Sequence, residues 1–409
     1  MKAKRLPQEG IVLEVIENLH EVIWAKIASG VKKFIKGFIE DLLTEEVTAR
    51  IGAGPYERSS ERQGYRNGHY LRDLFTKFGL VEDIRVPRMT PGGTEFTVLN
   101  RYEHRRRDVD AALGRLFLNG VSTRKLKTIA RELFGKEVSA QTVSNSLASL
   151  DQELEGYRTK PLADTVEFLF LDGISSKVRE IGIEKKVVLC ALGIHRQEAG
   201  EEPRKELLSF QLTEVEDTEA WQGFVSDLKG RGLLGKHLKL IITDGNPGLI
   251  KALKAIYPFV KVQRCIAHKM RNVAVKIRKV NQAHCLKEAK LIFAADSRKE
   301  ALKRFKVWEA RWQVEEERAV KCMKKDLFNC LHFYDFPPER WKSIRTTNIL
   351  ERAFREVRRR TRPMNNCFTN EASSDRILYG ISQMLNKNWR GKALKQISTK
   401  RLMPLLCGI

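Results

Sequence analysis

The sequence has no run of about 18 apolar residues, the length a helix needs to cross a bilayer, so no membrane span is expected. The N-terminus, MKAKRLPQEG followed by IVLEVIENLH, is interrupted by acids and lacks the unbroken apolar stretch of a signal peptide. Its seven cysteines are odd in number and scattered, which leaves no disulfide framework and fits a reducing cytoplasm. No internal repeat and no low-complexity tract interrupts the 409 residues, enough chain for two to four domains. Acidic residues are in short supply: 75 lysines and arginines stand against 51 aspartates and glutamates, a net charge of +24. So basic a chain repels itself unless an anion binds it. Nucleic acid is the usual partner, because cationic side chains release counterions from its phosphates.

Residues 11–50 read as helical, with Ile11, Val15, Ile16, Leu19, Val22 and Ile23 at helical spacing and a second apolar series from Phe34 to Leu43. Residues 51–70 are rich in Gly, Arg, Tyr and Ser. Residues 71–86 predict a hairpin, with Gly79 near its turn and Pro87 ending the second strand. The segment RYEHRRRDVD carries Arg101, Arg105, Arg106 and Arg107, which suit either a solvated surface or contact with phosphates. Ser122 is placed to cap a helix bearing Leu126, Ile129, Ala130 and Leu133, and Gly135 to end it. Ser139 is placed to cap a second helix with Val143, Leu147 and Leu150 on one face. Such a pair is either an ordinary helical hairpin or a helix-turn-helix, which would present Ser139, Gln141, Thr142 and Asn145 to the major groove.

From residue 165 the texture is α/β. Strands are expected at Glu167–Leu171, Val187–His195, Leu207–Leu212, Leu238–Thr243 and Val260–Arg264, and helices at Asp217–Leu228 and Pro247–Tyr257. Residues 282–340 read as wholly helical. The fold class expected is therefore mixed α+β and α/β, multidomain. Its segments are an N-terminal helical and hairpin region for DNA binding or dimerisation (1–107), a helix-turn-helix (108–160), an RNase H-like core (161–281), an all-helical insertion (282–341), and the closing helix and tail (342–409).

Two strands end alike, FLFLDG at Asp172 and LIITDG at Asp244. An acid just after a buried strand lies at the carboxyl edge of the sheet, where ligands gather in open α/β sheets. Asp-Gly is also a common turn signal. If the strands are neighbours, the carboxylates repel unless a cation sits between them, and oxygen-only ligands favour Mg²⁺ or Mn²⁺ over zinc. A third acid is then expected for a two-ion site. The choice is Glu351 in RTTNILERAFREVRRR, in the first turn of a helix that Asn348 would cap; Asn348-x-x-Glu351 also reads as a capping box. Glu356 is the rival, but Arg352 and Arg360, four residues to either side, offer it ion pairs. The basic flank Arg352, Arg355, Arg358, Arg359, Arg360 and Arg362 suits a phosphodiester substrate. Cys265 and His268 form a CxxH pair. Structural zinc needs four ligands, and the positions of Cys322, Cys330 and His332 fit no standard zinc spacing.

These residues resemble the Mutator-like transposases of bacterial insertion sequences. The matching stretches are YRNGHY at 65–70, GVSTRKLKTIARELFG with SAQTVSNSL, FLFLDGISSKVR, LKLIITDGNPGLIKAL, QRCIAHKMRNV with its CxxH, and TTNILERAFREVRRRTRPM, over roughly residues 60–395. The resemblance implies an RNase H-like domain with a DDE triad on Asp172, Asp244 and Glu351, and a helical insertion before the Glu. Two Mg²⁺ (or Mn²⁺) ions per active site would be held by those three acids. Cys265 and His268 would be a signature outside the catalytic ligand set. The implied partners are terminal inverted repeats and target DNA, with a homodimer or larger assembly to join two ends. The implied setting is a bacterial cytoplasm, on the nucleoid, and the implied route runs copy-out through a circular intermediate. Two other readings of the residues stand beside this one: an RNase H-like nuclease or resolvase, and a non-catalytic helix-turn-helix regulator.

Overall fold

The structure is a computed structural model that describes residues 8–90, 96–100, 104–118, 121–134, 137–139, 141–142, 145, 150–179, 181–196, 204–362, 367–368 and 370–389. Packing divides the chain into two compact units, Met1–Ser149 and Leu150–Ile409. The segment 108–160, read from the sequence as one domain, is split by that division.

The first unit begins with one continuous helix, α1 (Gln8–Ile51). Near its end Leu43, Val47 and Ile51, spaced one turn apart, are buried against Leu74, Val81, Ile84 and Val86 of a two-stranded ribbon and against Phe96 and Leu99. The ribbon pairs β1 (Tyr65–Thr76) with β2 (Gly79–Thr90). Gly79 follows the tight turn with φ +105, a conformation that favours glycine. The ribbon is longer at both ends than the sequence suggested. Pro87 does not end β2: it pairs with His69 beside a register shift, and a two-stranded ribbon has a free edge on each strand where a missing N–H costs nothing.

Helices α2 (Arg107–Leu118) and α3 (Thr123–Phe134) follow. Ser122 Oγ accepts the N–H of Lys125 at 3.3 Å, and Leu126 and Ala130 are buried. Leu133, expected on the same face, is exposed instead. Ser139 Oγ accepts the N–H of Thr142 at 3.0 Å, the cap expected of a helix start. Gly135, Val143 and Leu147 lie outside the described residues.

The second unit opens with α4 (Leu150–Thr159). Its Tyr157 hydroxyl donates to the Leu207 carbonyl at 2.8 Å, which ties this helix to the sheet that follows. That sheet has strands β3 (Val166–Arg179), β4 (Ile183–His195), β5 (Lys205–Thr213), β6 (Leu240–Thr243) and β7 (Lys261–Arg264) in the order β5-β4-β3-β6-β7. β8 (Cys367–Phe368) adds to β3. The first three strands are antiparallel, and β6 and β7 run parallel to β3 and to each other. Leu169, Leu171, Leu189, Ala191 and Ile241 pack on Trp221, Phe224, Val225 and Leu228 of α5 (Thr218–Gly230) and on Leu249 and Leu253 of α6 (Pro247–Ile256). By strand alternation Phe168 and Phe170 point the other way, where the Phe168 ring meets Phe336 edge-on. Apolar residues on both faces explain why these strands read as unbroken hydrophobic runs.

After β7 the chain is helical: α7 (Ile266–Ala274), α8 (Lys279–Ile292), α9 (Arg298–Trp312), α10 (Glu317–Lys324), a 3₁₀ segment Phe328–Asp335, α11 (Pro338–Ile344) and α12 (Asn348–Thr361). Gln263 of β7 secures the 3₁₀ segment, donating to the Cys330 carbonyl and accepting from the Phe333 N–H, each at 2.9 Å. The last described helix is α13 (Glu371–Trp389).

Phe224 lies at the centre of the apolar layer under the sheet. Phe224→Ala is expected to cost about 3–5 kcal/mol through the cavity it leaves. Denaturant unfolding should register this as a lower midpoint for the second unit, whereas Phe259→Ala, at an exposed site, should leave the midpoint unchanged.

Candidate active site

Leu171 of β3 stands opposite Thr243 of β6 in parallel register, so the next residues, Asp172 and Asp244, emerge side by side. Neighbouring strands lie roughly 4.8 Å apart. The expectation that Asp172 ends its strand is corrected. β3 runs on to Arg179, because β4 continues to pair with it and Asp172 itself stands opposite Cys190. Only relative to the shorter β6 does Asp172 lie at a sheet edge. Alternation puts it on the face of Phe168 and Phe170, away from α5 and α6.

Asp172 is 5% exposed. Burial pushes its carboxyl up to about 7; His268 pulls it down, Asp244 pushes it further up, and hydrogen bonds from Thr347 and the Gly173 N–H pull it down. The leading charged side chains acting on it are thus an imidazole and a second carboxylate. Asp244 Oδ1 accepts from the Thr243 hydroxyl at 3.2 Å and the Asn246 N–H at 2.9 Å. Gly245 then turns at φ +88, where a Cβ would strike the Arg264 guanidinium at 2.3 Å, so the Asp-Gly pair is both a turn and a carrier of the acid.

A residue not singled out from the sequence joins this pair. Glu216, just before α5, has its carboxylate 3.0 Å from where a Cβ on Gly173 would sit, and it accepts from Trp221 Nε1 at 3.2 Å. Burial raises its pKa, and Asp244 raises it further. Its local signal, a glutamate ahead of a helix cap, is generic; only the packing of α5 under β3 carries it to the acids.

Glu351 is in the first turn of α12, as expected, but Asn348 is not its cap. The cap position is Thr347, whose side chain makes no capping bond. Instead Thr347 faces the CxxH pair: its N–H donates to Cys265 Sγ at 3.3 Å, and its hydroxyl lies 3.5 Å from both Cys265 Sγ and His268 Nδ1. The backbone is tied at the same place, since the Ile266 N–H donates to the Arg345 carbonyl at 3.0 Å. Burial pushes the Cys265 thiol up, and hydrogen bonds from Thr347 pull it back. Glu351 sits four residues after Thr347, on the same helix face, and its carboxylate is paired with Arg271 at 2.9 Å. The structure therefore brings Asp172 and Asp244 together, places the start of α12 against Asp172, and leaves the Glu351 carboxylate on Arg271.

Among the described residues no three His, Cys, Asp or Glu side chains converge to hold a metal ion. His332 Nδ1 is 2.9 Å from the Val262 carbonyl, and Cys330 is buried. A buried and a half-buried carboxylate that repel each other, with oxygen donors, fit a hard divalent cation.

The other expected contacts divide. Arg355, Arg358 and Arg359 are exposed on α12, and Arg359 pairs with Glu356. Arg360 is buried and also pairs with Glu356, which gives that glutamate the structural role expected of it. In the first unit Arg105 is paired with Asp110, Arg106 and Arg107 are exposed, and Gln141 bonds Asn145 at 2.8 Å. Arg105 and Thr142 also line a cavity of about 670 Å³ with Tyr70, Arg72 and His104, which contains none of the acids.

The profile of the family "Transposase, Mutator family" matches residues 10–392. The chain belongs to that family. It is 32% identical to the transposase for insertion sequence element ISRM5 of Rhizobium meliloti, over 88% of each chain. It is 30% identical to the transposase for IS256 in transposon Tn4001 of Staphylococcus aureus, over 93% of this chain and 97% of that one. The IS406 transposase of Burkholderia multivorans is likewise 30% identical, over 95% and 97%. The protein is a DNA transposase of mixed α/β, multidomain architecture, and among the described residues no helix is long and apolar enough to cross a membrane.

A raised carboxyl pKa means the folded state binds the proton more tightly than the unfolded chain. The stability Asp172 contributes is then present below about pH 4 and is lost as pH rises towards 7, on the order of 4 kcal/mol in full. Asp172→Asn should therefore raise the melting temperature of the metal-free protein at pH 7.5 and leave it nearly unchanged at pH 4. Equal shifts at both values would contradict the burial of this charge.

Proposed function

We propose that the transposase is a DDE enzyme whose second unit has an RNase H-like core, with Asp172, Asp244 and Glu351 as its catalytic acids and two Mg²⁺ (or Mn²⁺) ions as cofactors. The observation that carries the reading is the pairing of Asp172 with Asp244 at the step where β6 ends beside β3. The order β5-β4-β3-β6-β7, antiparallel β3–β5 followed by parallel β6 and β7, supports the RNase H-like reading. The helices from α8 to α11 would be its insertion.

Asp172 and Asp244 would hold the ions jointly, and Glu351 would complete the set by a side-chain turn away from Arg271. Bound there, Mg²⁺ supplies positive charge to the attacking and leaving oxygens of an in-line phosphoryl transfer. Cleavage at the element end breaks a P–O3′ bond, water taking the phosphate and a 3′-OH leaving. That hydroxyl then attacks a target phosphorus and displaces the target's own 3′ oxygen. Arg355, Arg358 and Arg359 would steady the phosphate backbone beside the acids. The first unit, through Arg105, Arg106, Arg107 and a helix-turn-helix bearing Ser139, Gln141, Thr142 and Asn145, would read the terminal inverted repeats. Two such ends are joined in transposition, so a homodimer or larger assembly on DNA is expected, in the bacterial nucleoid.

Cys265 and His268 receive a positioning role in this reading. They hold Thr347, Thr347 reaches Asp172, and the start of the Glu351 helix is thereby fixed to the sheet edge.

Labelled inverted-repeat DNA with Mg²⁺ should be nicked and joined by the wild type. Asp172→Asn, Asp244→Asn and Glu351→Gln should bind the same DNA without cutting it. Undiminished cutting by these variants removes the proposed site, and binding without cutting by the wild type under every metal favours a regulator. Thr347→Val, which keeps shape and removes the hydroxyl, should lower the cleavage rate about 10–100-fold, as loss of a group that orients metal ligands does. Thr347→Ser should recover most of that loss. Equal rates for the Val and Ser variants would reduce Thr347 to packing.

A further inference from the structure

The turn that carries Asp244 is covered from one side by the side chain of Arg264. Gly245 turns at φ +88, and the guanidinium lies against it: Nη1, Cζ and Nε all fall within 3.0 Å of where a Cβ would sit. Arg264 ends β7 opposite Thr243, and its Nη1 donates to the Gly245 carbonyl at 3.4 Å. Its Nε is buried without a hydrogen-bond partner, so the group supports the turn by its shape as well as by its bonds. A long, flexible arginine stem keeps such a pose only if something holds its head. Asp326 holds it. Asp326 Oδ2 pairs with Arg264 Nη1 at 2.6 Å. Its Oδ1 pairs with Lys269 Nζ, which also donates to the Cys322 carbonyl. Lys269 is buried, and the other two side chains are largely so.

Asp326 lies between α10 and the 3₁₀ segment, so this carboxylate comes from the helical stretch proposed as the insertion. Two cations on one carboxylate leave a positive charge in a largely buried place. Buried ion pairs contribute little net stability, because desolvation offsets the attraction. What the cluster supplies is a fixed geometry. We infer that Asp326 and Arg264 are positioning residues for Asp244. The carboxylate of the insertion fixes the guanidinium, and the guanidinium fixes the Gly245 turn from which Asp244 projects. Within the turn, the Asn246 N–H and the Thr243 hydroxyl hold Asp244 Oδ1. The Arg264–Asp326 pair sets where that turn stands against the end of β7. The inference rests on the proposed role of Asp244, and it gives the helical insertion a part in the same site.

The test uses the full chain with labelled inverted-repeat DNA. Arg264→Lys keeps a cation for Asp326 and loses the planar group that lies on Gly245. It should lower the cutting rate at saturating DNA about 10–100-fold, as loss of a group that orients metal ligands does. Calorimetric titration of the metal-free chain with Mn²⁺ should show affinity weakened over the same range, while DNA affinity and the unfolding midpoint match the wild type. Wild-type cutting and Mn²⁺ affinity in Arg264→Lys overturn the inference, because charge alone would then suffice. Weaker DNA binding with the rate at saturation intact also overturns it, by making Arg264 a phosphate contact. So does a midpoint that falls in step with the rate, by reducing the pair to a stabilising one. Asp326→Asn alone would strand two cations, so it is combined with Lys269→Met, an apolar side chain of similar length. That double variant should lose as much activity as Arg264→Lys, and adding Arg264→Lys to it should lose no more, because residues acting in series do not add. Losses that multiply overturn the route from Asp326 through Arg264. Asp244→Asn keeps the two readings separable. If it cuts like the wild type, the catalytic assignment falls and the inference with it; an inactive Asp244→Asn beside a fully active Arg264→Lys overturns the inference alone.

Discussion

Two carboxylates forced to share one step of a sheet are the constraint from which the rest of the catalytic unit follows. The register that sets Leu171 opposite Thr243 leaves no freedom in where Asp172 and Asp244 emerge. Burial then makes their proximity costly: it pushes Asp172 up to about 7, Asp244 adds to the rise, and His268 relieves it only in part. A fold keeps so unfavourable a pair when a cation or a proton is meant to occupy it. The apolar layer of Trp221, Phe224 and Leu249 beneath the sheet supplies the stability that lets this repulsion persist.

Around that pair the structure builds a frame of neutral and weakly charged groups. Glu216 is held by the Trp221 indole on one face of the sheet edge, and the Thr347–Cys265–His268 cluster lies against Asp172 on the other. The Cys265 thiol accepts from the Thr347 N–H, which ties the CxxH pair to the α12 start. Glu351 is paired with Arg271 in the first turn of the helix whose start Thr347 anchors beside Asp172.

The net charge of +24 is carried by both units. In the second it includes the exposed Arg355, Arg358 and Arg359 of α12; in the first it includes Arg106 and Arg107 at the start of α2. The family membership, extending over residues 10–392, covers both. The long α1 adds a different kind of surface, with Trp24, Phe34 and Phe38 exposed along it.

The sequence by itself determined what depends on local order. Apolar runs marked β3, β4 and β6, because strands covered on both faces must be hydrophobic throughout. The 3.6-residue period marked α1, α3 and the helical stretch after β7. Asp172 and Asp244 were legible because each follows a buried strand and precedes glycine, and Glu351 because an acid in a first helical turn beside arginines is a local pattern. Tertiary structure alone decided the rest. That β3 outruns β6, so that Asp172 is a mid-strand residue, rests on the pairing of the mostly polar residues 175–179 with β4, which no apolar run announces. That Thr347 rather than Asn348 stands at the α12 cap follows from a cysteine and a histidine some 80 positions earlier in the chain. Glu216 became part of the site only through the packing of α5, since contacts between residues far apart in the chain leave no mark on the local sequence of either.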